Sequence, residues 1–130
     1  LYVVHVDEPQ SREKRGIDVV HVGLLGYGNV GAAFTRLIDS QSEAIALRIG
    51  HKLRVTRIAV RDVAKKRPDS VLAEAGARLS GDAASVVEDP SIDIIVELIG
   101  GIEPARSLIL TALQAGKPVV TANKELLASV

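Results

Sequence analysis

The chain has 130 residues, 47% hydrophobic and 25% charged, which suffices for one ordinary domain with a true core but not for a cofactor domain plus a full substrate domain. Sixteen basic residues balance sixteen acidic ones, so no net field gathers nucleic acid or an anionic membrane surface, and neither is expected as a partner. With no cysteine, disulfides and thiolate metal sites are excluded, and the apolar runs are only strand-length; the expectation is a soluble, cytoplasmic protein.

Residues 1–18, "LYVVHVDEPQSREKRGID", start apolar and break at Pro9 into an aperiodic polar stretch, read as a mobile leader or a packed accessory strand. "VVHVGLLG" (Val19 to Gly26) is a short apolar run enriched in β-branched residues and ending in glycine, the pattern of a strand buried on both faces. From Asn29 to about Ile49 apolar residues recur at spacings of three and four, an amphipathic helix expected to be interrupted near Ser40 to Ser42. "LRVTRIAVRD" (Leu53 to Asp62) alternates into a second strand, followed by the charged loop "RDVAKKRPD".

A short helix is predicted over Ser70 to Ala75, closed by Gly76, and another over Ala83 to Glu88, capped by Asp82. "IDIIVELIGG" (Ile92 to Gly101) reads as a third strand ending in a glycine pair. Pro104 to Ala115 reads as a helix with proline in its first turn and Gly116 beyond its end, and "KPVVTANK" as a fourth strand. Strands alternating with helices predict an α/β domain over 19–130, a doubly wound parallel sheet with ligands at the carboxyl ends of its strands. The chain opens on Leu1 and closes at "NKELLASV" inside what reads as a new helix, so a fragment of a longer enzyme is expected.

Four strand ends are candidate sites. Gly26, Gly28 and Gly31 fit G-x-G-x-x-G between a strand and a helix: the first permits the tight turn, the second lets a pyrophosphate approach the backbone, and the third lets helix and strand pack closely. Tyr27, Asn29 and Val30 fill the loop between them. After the second strand the first polar residue is Arg61, whose guanidinium suits a 2′-phosphate, with Lys65, Lys66 and Arg67 nearby; NADP is expected over NAD, although Asp62 could instead bind the hydroxyls of NAD. Gly100 and Gly101 either let the backbone pass close to a ribose or supply a turn needing positive φ. Glu97, within an apolar strand, is read as a satisfied structural carboxylate. Lys124, beside Thr121 and Asn123, could hold a substrate oxygen or shuttle a proton if partial burial lowers its pKa; the spacing alone favours an exposed lysine opening a helix. His5, His21 and His51 lack metal-ligand spacing, and no metal is expected.

Taken together and in order, "VGLLGYGNVG", "IAVRD", "IIVELIGG" and "GKPVVTANKELLA" resemble the amino-terminal cofactor domain of homoserine dehydrogenase over roughly Val19 to Ala128. The resemblance implies a Rossmann-like domain and NAD(P)-dependent interconversion of L-homoserine and L-aspartate 4-semialdehyde, toward threonine and methionine. It places cofactor contacts on Gly26, Tyr27, Gly28, Asn29, Val30, Gly31, Arg61, Gly100, Thr121 and Lys124, and a catalytic role on Lys124. It also implies a homo-oligomer and a carboxyl-terminal catalytic and dimerising region that these residues do not include. Two other readings stay open: a nucleotide-sensing module without turnover, and the cofactor domain of another NAD(P) oxidoreductase such as an aspartate dehydrogenase.

Overall fold

The computed structural model describes residues 2–4 and 19–123. Six strands, β1 (Tyr2–Val4), β2 (Val19–Leu25), β3 (Lys52–Ala59), β4 (Leu79–Ser80), β5 (Ile94–Glu97) and β6 (Val119–Thr121), form one sheet in the order β1-β6-β5-β2-β3-β4. All neighbours are parallel except β1 with β6. The chain moves outward from β2 through β3 to β4, then returns to the other side of β2 for β5 and β6. The strand order therefore reverses between β2 and β5, and in open α/β sheets this reversal opens a crevice at the carboxyl ends of the two strands.

Helices cover both faces. Leu24 and Leu25 point to opposite sides of β2, and both are fully buried. Leu24 joins Val22, Val55, Ile58 and Val96 in a core with Ile38 of α1 (Asn29–Ile49) and Ala75 of α2 (Asp69–Ala75). Leu25 joins Ala59, Ile95 and Val119 in a second core with Val86 and Val87 of α3 (Ala83–Glu88) and Ile109 of α4 (Ala105–Gln114). Each fully buried aliphatic side chain contributes about 1.5–3 kcal/mol, so both faces of the central strands are strongly specified. Among the described residues no helix is long and apolar enough to cross a membrane.

Five details depart from the pattern read in the sequence. Helix α1 runs unbroken through Ser40, whose hydroxyl donates to the Leu37 carbonyl at 3.2 Å, while Ile38 and Ile45 keep the buried stripe continuous. Strand β5 ends at Glu97, because the residues beyond it turn away. Gly76 adopts right-handed helical angles (φ −53°) and leads into a 3-10 turn over Gly76–Arg78 instead of a left-handed stop. That turn delivers the two-residue strand β4, which the sequence did not announce. In β3 the pairing shifts register between Val22 and Gly23, so Thr56 is an extra residue and Val55 and Ile58 share a face. The leader supplies an accessory strand over Tyr2–Val4; residues 5–18 lie outside the described residues.

The ends of the helices are chemically marked. Asp82 accepts the Ser85 amide at 3.1 Å to start α3, as expected, and Gly116 follows α4 at φ +79°. Beyond α3, Asp89 accepts the Ser91 hydroxyl at 2.7 Å and amide at 2.8 Å, and lies 3.1 Å from the Arg57 guanidinium. These bonds, those from Ser91 first, hold its carboxyl below the ordinary aspartate range.

Candidate cofactor site

The glycine turn at the end of β2 explains itself atom by atom. Gly26 has φ +100°, donates its N–H to the Ala59 carbonyl at 2.9 Å, and a Cβ there would lie 3.2 Å from the Leu98 carbonyl. At Gly31 a Cβ would stand 2.6 Å from the Gly26 carbonyl oxygen, so glycine is what lets α1 approach the strand this closely. Gly28 is different: its φ is −84° and a Cβ would meet nothing within 4 Å. Among the described residues, none requires glycine at this position.

Helix α1 begins directly after Gly28. Its first intrahelical bond, Ala32 N–H to the Gly28 carbonyl, is 2.9 Å, so the amides of Asn29, Val30 and Gly31 precede it, with no side-chain cap and no acidic residue in the first turn. Amides unclaimed among the described residues and the positive end of a helix of 21 residues suit an anion. Asn29 and Val30 are exposed beside it, Val30 at 66%. The Tyr27 ring packs on the core between α1 and β3, its hydroxyl buried without a partner among the described residues. Burial, reinforced by Glu74, pushes that phenol above its ordinary range. What Tyr27 presents to the crevice is therefore its backbone.

At the end of β3, Arg61 is exposed. Asp62 is engaged locally: its carboxylate accepts the Ala64 amide at 3.0 Å and its carbonyl the Lys65 amide at 3.2 Å. Arg67 folds back onto the Lys65 carbonyl at 3.2 Å, while Lys65 and Lys66 remain exposed.

Across the reversal point, Leu98 donates its N–H to the Leu25 carbonyl at 2.9 Å, tying the start of the β5 loop to β2. Gly100 and Gly101 follow with φ +82° and +72°, left-handed angles that favour glycine. Glu97 is 1% exposed and fully satisfied: Oε1 accepts the amides of Ile99 (2.9 Å) and Gly100 (3.1 Å), and Oε2 accepts the Thr121 hydroxyl (2.5 Å). Thr121, expected among the cofactor contacts, is fully buried, and its hydroxyl also accepts the Asn123 amide at 3.0 Å. Its side chain shares the face of Val119. The Asn123 side chain donates to the Gly101 carbonyl, a link no motif announced. Lys124 lies outside the described residues.

The opposite end of the sheet holds a second buried charge. Lys117, 6% exposed, donates its ammonium to the Val87 carbonyl at 2.9 Å and caps the end of α3. An open depression lined by Asp39, Ser42, Arg54, Thr56 and Arg78 lies at the amino end of β3, away from the glycine turn, and there Arg78 is paired with Asp39 at 2.8 Å. Among the described residues no three histidine or acidic side chains are grouped to hold a metal ion.

Comparison with known proteins agrees with this geometry. Residues 26–130 match the family model for the NAD-binding domain of homoserine dehydrogenase. A homoserine dehydrogenase of Corynebacterium glutamicum is 46% identical over 110 residues, 85% of this chain and 24% of that protein. The crystal structure of a homoserine dehydrogenase from Thiobacillus denitrificans superposes with TM-score 0.76 at 46% identity, covering 89% of this chain and 26% of that one. The S. aureus homoserine dehydrogenase at pH 8.5 gives TM-score 0.76 at 37% identity, covering 87% of this chain and 28% of that one. This chain thus spans about a quarter of the length of the relatives it matches. A glycine turn at the reversal point, an anion seat at the head of α1, and a family match over both lead to one conclusion: the chain belongs to the homoserine dehydrogenase family, as its Rossmann-like NAD-binding domain.

Proposed function

We propose that this domain serves an enzyme that interconverts L-homoserine and L-aspartate 4-semialdehyde, with NADP preferred over NAD. The observation that carries the cofactor reading is Gly28, open to within 4 Å at the head of an uncapped helix. The amides of Asn29 to Gly31 hold the pyrophosphate there. Arg61, exposed where β3 ends, pairs with the 2′-phosphate, while Asp62 Oδ1 is turned to the Ala64 amide of its own loop. The Gly100 turn brings bare backbone toward the nicotinamide-side ribose.

The bound dinucleotide supplies a hydride to an aldehyde and takes one from an alcohol. Lys124 is assigned to the reacting oxygen of the substrate, holding it or exchanging its proton. The remaining substrate contacts and a homo-oligomeric interface belong to the part of the family's length outside this chain, and the setting proposed is the cytoplasm.

The test is homoserine oxidation by the full-length protein, followed as reduced nicotinamide forms, with calorimetric titration of this chain alongside. Binding of neither NADPH nor NADH by the chain would overturn the cofactor reading. Binding without homoserine oxidation in the full-length protein would overturn the substrate alone.

A further inference from the structure

Among the described residues, the fully or nearly buried charged side chains are Glu97 and Lys117, at opposite ends of the strands. Lys117 has a local task at the end of α3. Glu97 does not. Burying a carboxylate costs several kcal/mol unless its oxygens are satisfied, and an apolar side chain would fill the same volume without that cost. What an apolar side chain could not do is join two segments, and the donors to Glu97 come from two.

Oε1 gathers the amides of Ile99 and Gly100, shaping the turn after β5. Oε2 takes the hydroxyl of Thr121, leaving its oxygen lone pair to receive the Asn123 amide after β6. The Asn123 side chain then closes the loop by donating to the Gly101 carbonyl. The two segments are thus locked together through one carboxylate, on the β5–β6 side of the crevice. Gly26 of the glycine turn packs against Leu98 and the Ile99 amide, but none of these hydrogen bonds is made to the glycine turn or to α1.

We propose that Glu97 is a positioning residue: acting through Thr121 and Asn123, it presets the Gly100–Gly101 turn for the nicotinamide half of the dinucleotide and leaves the adenosine half untouched. This rests on the cofactor reading above. It predicts a split that a merely structural carboxylate would not produce, because general loosening of the domain weakens both halves alike.

Glu97→Gln keeps the shape but not the pattern. The amide oxygen can serve the two loop amides, and its NH₂ then faces Thr121, whose own hydrogen is left without an acceptor. The probes are NADPH and 2′-phosphoadenosine 5′-diphosphate, the same ligand without nicotinamide and its ribose, titrated into this chain. Affinity for NADPH should fall on the order of tenfold, with the emission of bound NADPH moving toward that of free NADPH, while affinity for 2′-phosphoadenosine 5′-diphosphate holds. Thr121→Val should give the same split, and Thr121→Ser, which restores the hydroxyl, should abolish it.

The threonine pair decides the matter if Glu97→Gln fails to fold. Equal losses for both ligands, no loss for either, or a Thr121→Ser variant as impaired as Thr121→Val would overturn the inference alone. Binding of neither ligand by the unaltered chain would overturn the cofactor reading and this inference with it.

Discussion

Replacing Gly28 with valine separates ligand binding from folding. With φ −84° and ψ −158° the backbone there is open to any L residue, and the new side chain enters empty space. Losing a favoured N-cap residue and stiffening the unfolded chain are opposed effects of at most about 1 kcal/mol each, so stability should stay within about 1 kcal/mol of the unaltered chain. The added methyl groups fill the space at the head of α1. A pyrophosphate forced off even one charge-assisted hydrogen bond loses about 1.5–3 kcal/mol, a drop in affinity of roughly 10- to 150-fold. Gly31→Ala is the control with the opposite signature. Its Cβ would stand 2.6 Å from the Gly26 oxygen and 3.3 Å from its carbon, backbone atoms that move only if strand and helix separate. Overpacking of this kind costs about 1–3 kcal/mol, lowering Tm by roughly 3–15 °C. Calorimetric titration with NADPH and thermal melts of both variants provide the assay. A Gly28→Val chain that binds NADPH unchanged, or melts as low as Gly31→Ala, refutes the assignment of these two glycines to different tasks.

Arg61→Ala should erase most of a preference for NADPH over NADH worth about 1.5–3 kcal/mol; equal affinity of the unaltered chain for both cofactors would move the choice to Asp62 or to neither residue. In the full-length protein, Lys124→Ala should slow homoserine oxidation about 100-fold or more, and near-normal turnover would place the chemistry on groups beyond this chain. Asp89 titrates lower when folded than when unfolded, so its contribution is fully present above the ordinary aspartate range and is lost as pH falls through the lowered value. Acid unfolding curves of the unaltered chain should therefore fall more steeply in that window than those of Asp89→Asn; identical slopes would mean that the Ser91 bonds persist in the unfolded chain.

The glycine turn was legible because Gly26 and Gly31 each answer a separate steric demand, which their spacing encodes, while the part given to Gly28 belongs to the proposed ligand. So were the two-sided core, which an unbroken apolar strand implies, and the Asp82 cap. The interruption expected in α1 was not found, since a serine cluster breaks a helix only when its hydroxyls compete for backbone, and Ser40 turns its hydroxyl to a carbonyl of the helix itself. Strand β4 is too short to carry a period, and the extra residue at Thr56 breaks the alternation that a pattern reading of β3 assumes. The burial of Thr121 follows from strand alternation, since two residues from Val119 it shares that residue's inward face. The bond between Asn123 and Gly101 joins loops 22 positions apart, and no local pattern encodes it.

The pairing of Tyr2–Val4 with Val119–Thr121 has a bearing on how the protein comes to be made. Its two partners are among the first and last described stretches to leave the ribosome, so this ladder forms only when β6 has emerged, and closing so large a loop is slow. Until then the outer side of β6 presents bare N–H and C=O groups beside two valines, a template for another chain. A version trimmed to begin at Val19 would keep that template permanently, and would be the form most prone to associate edge to edge.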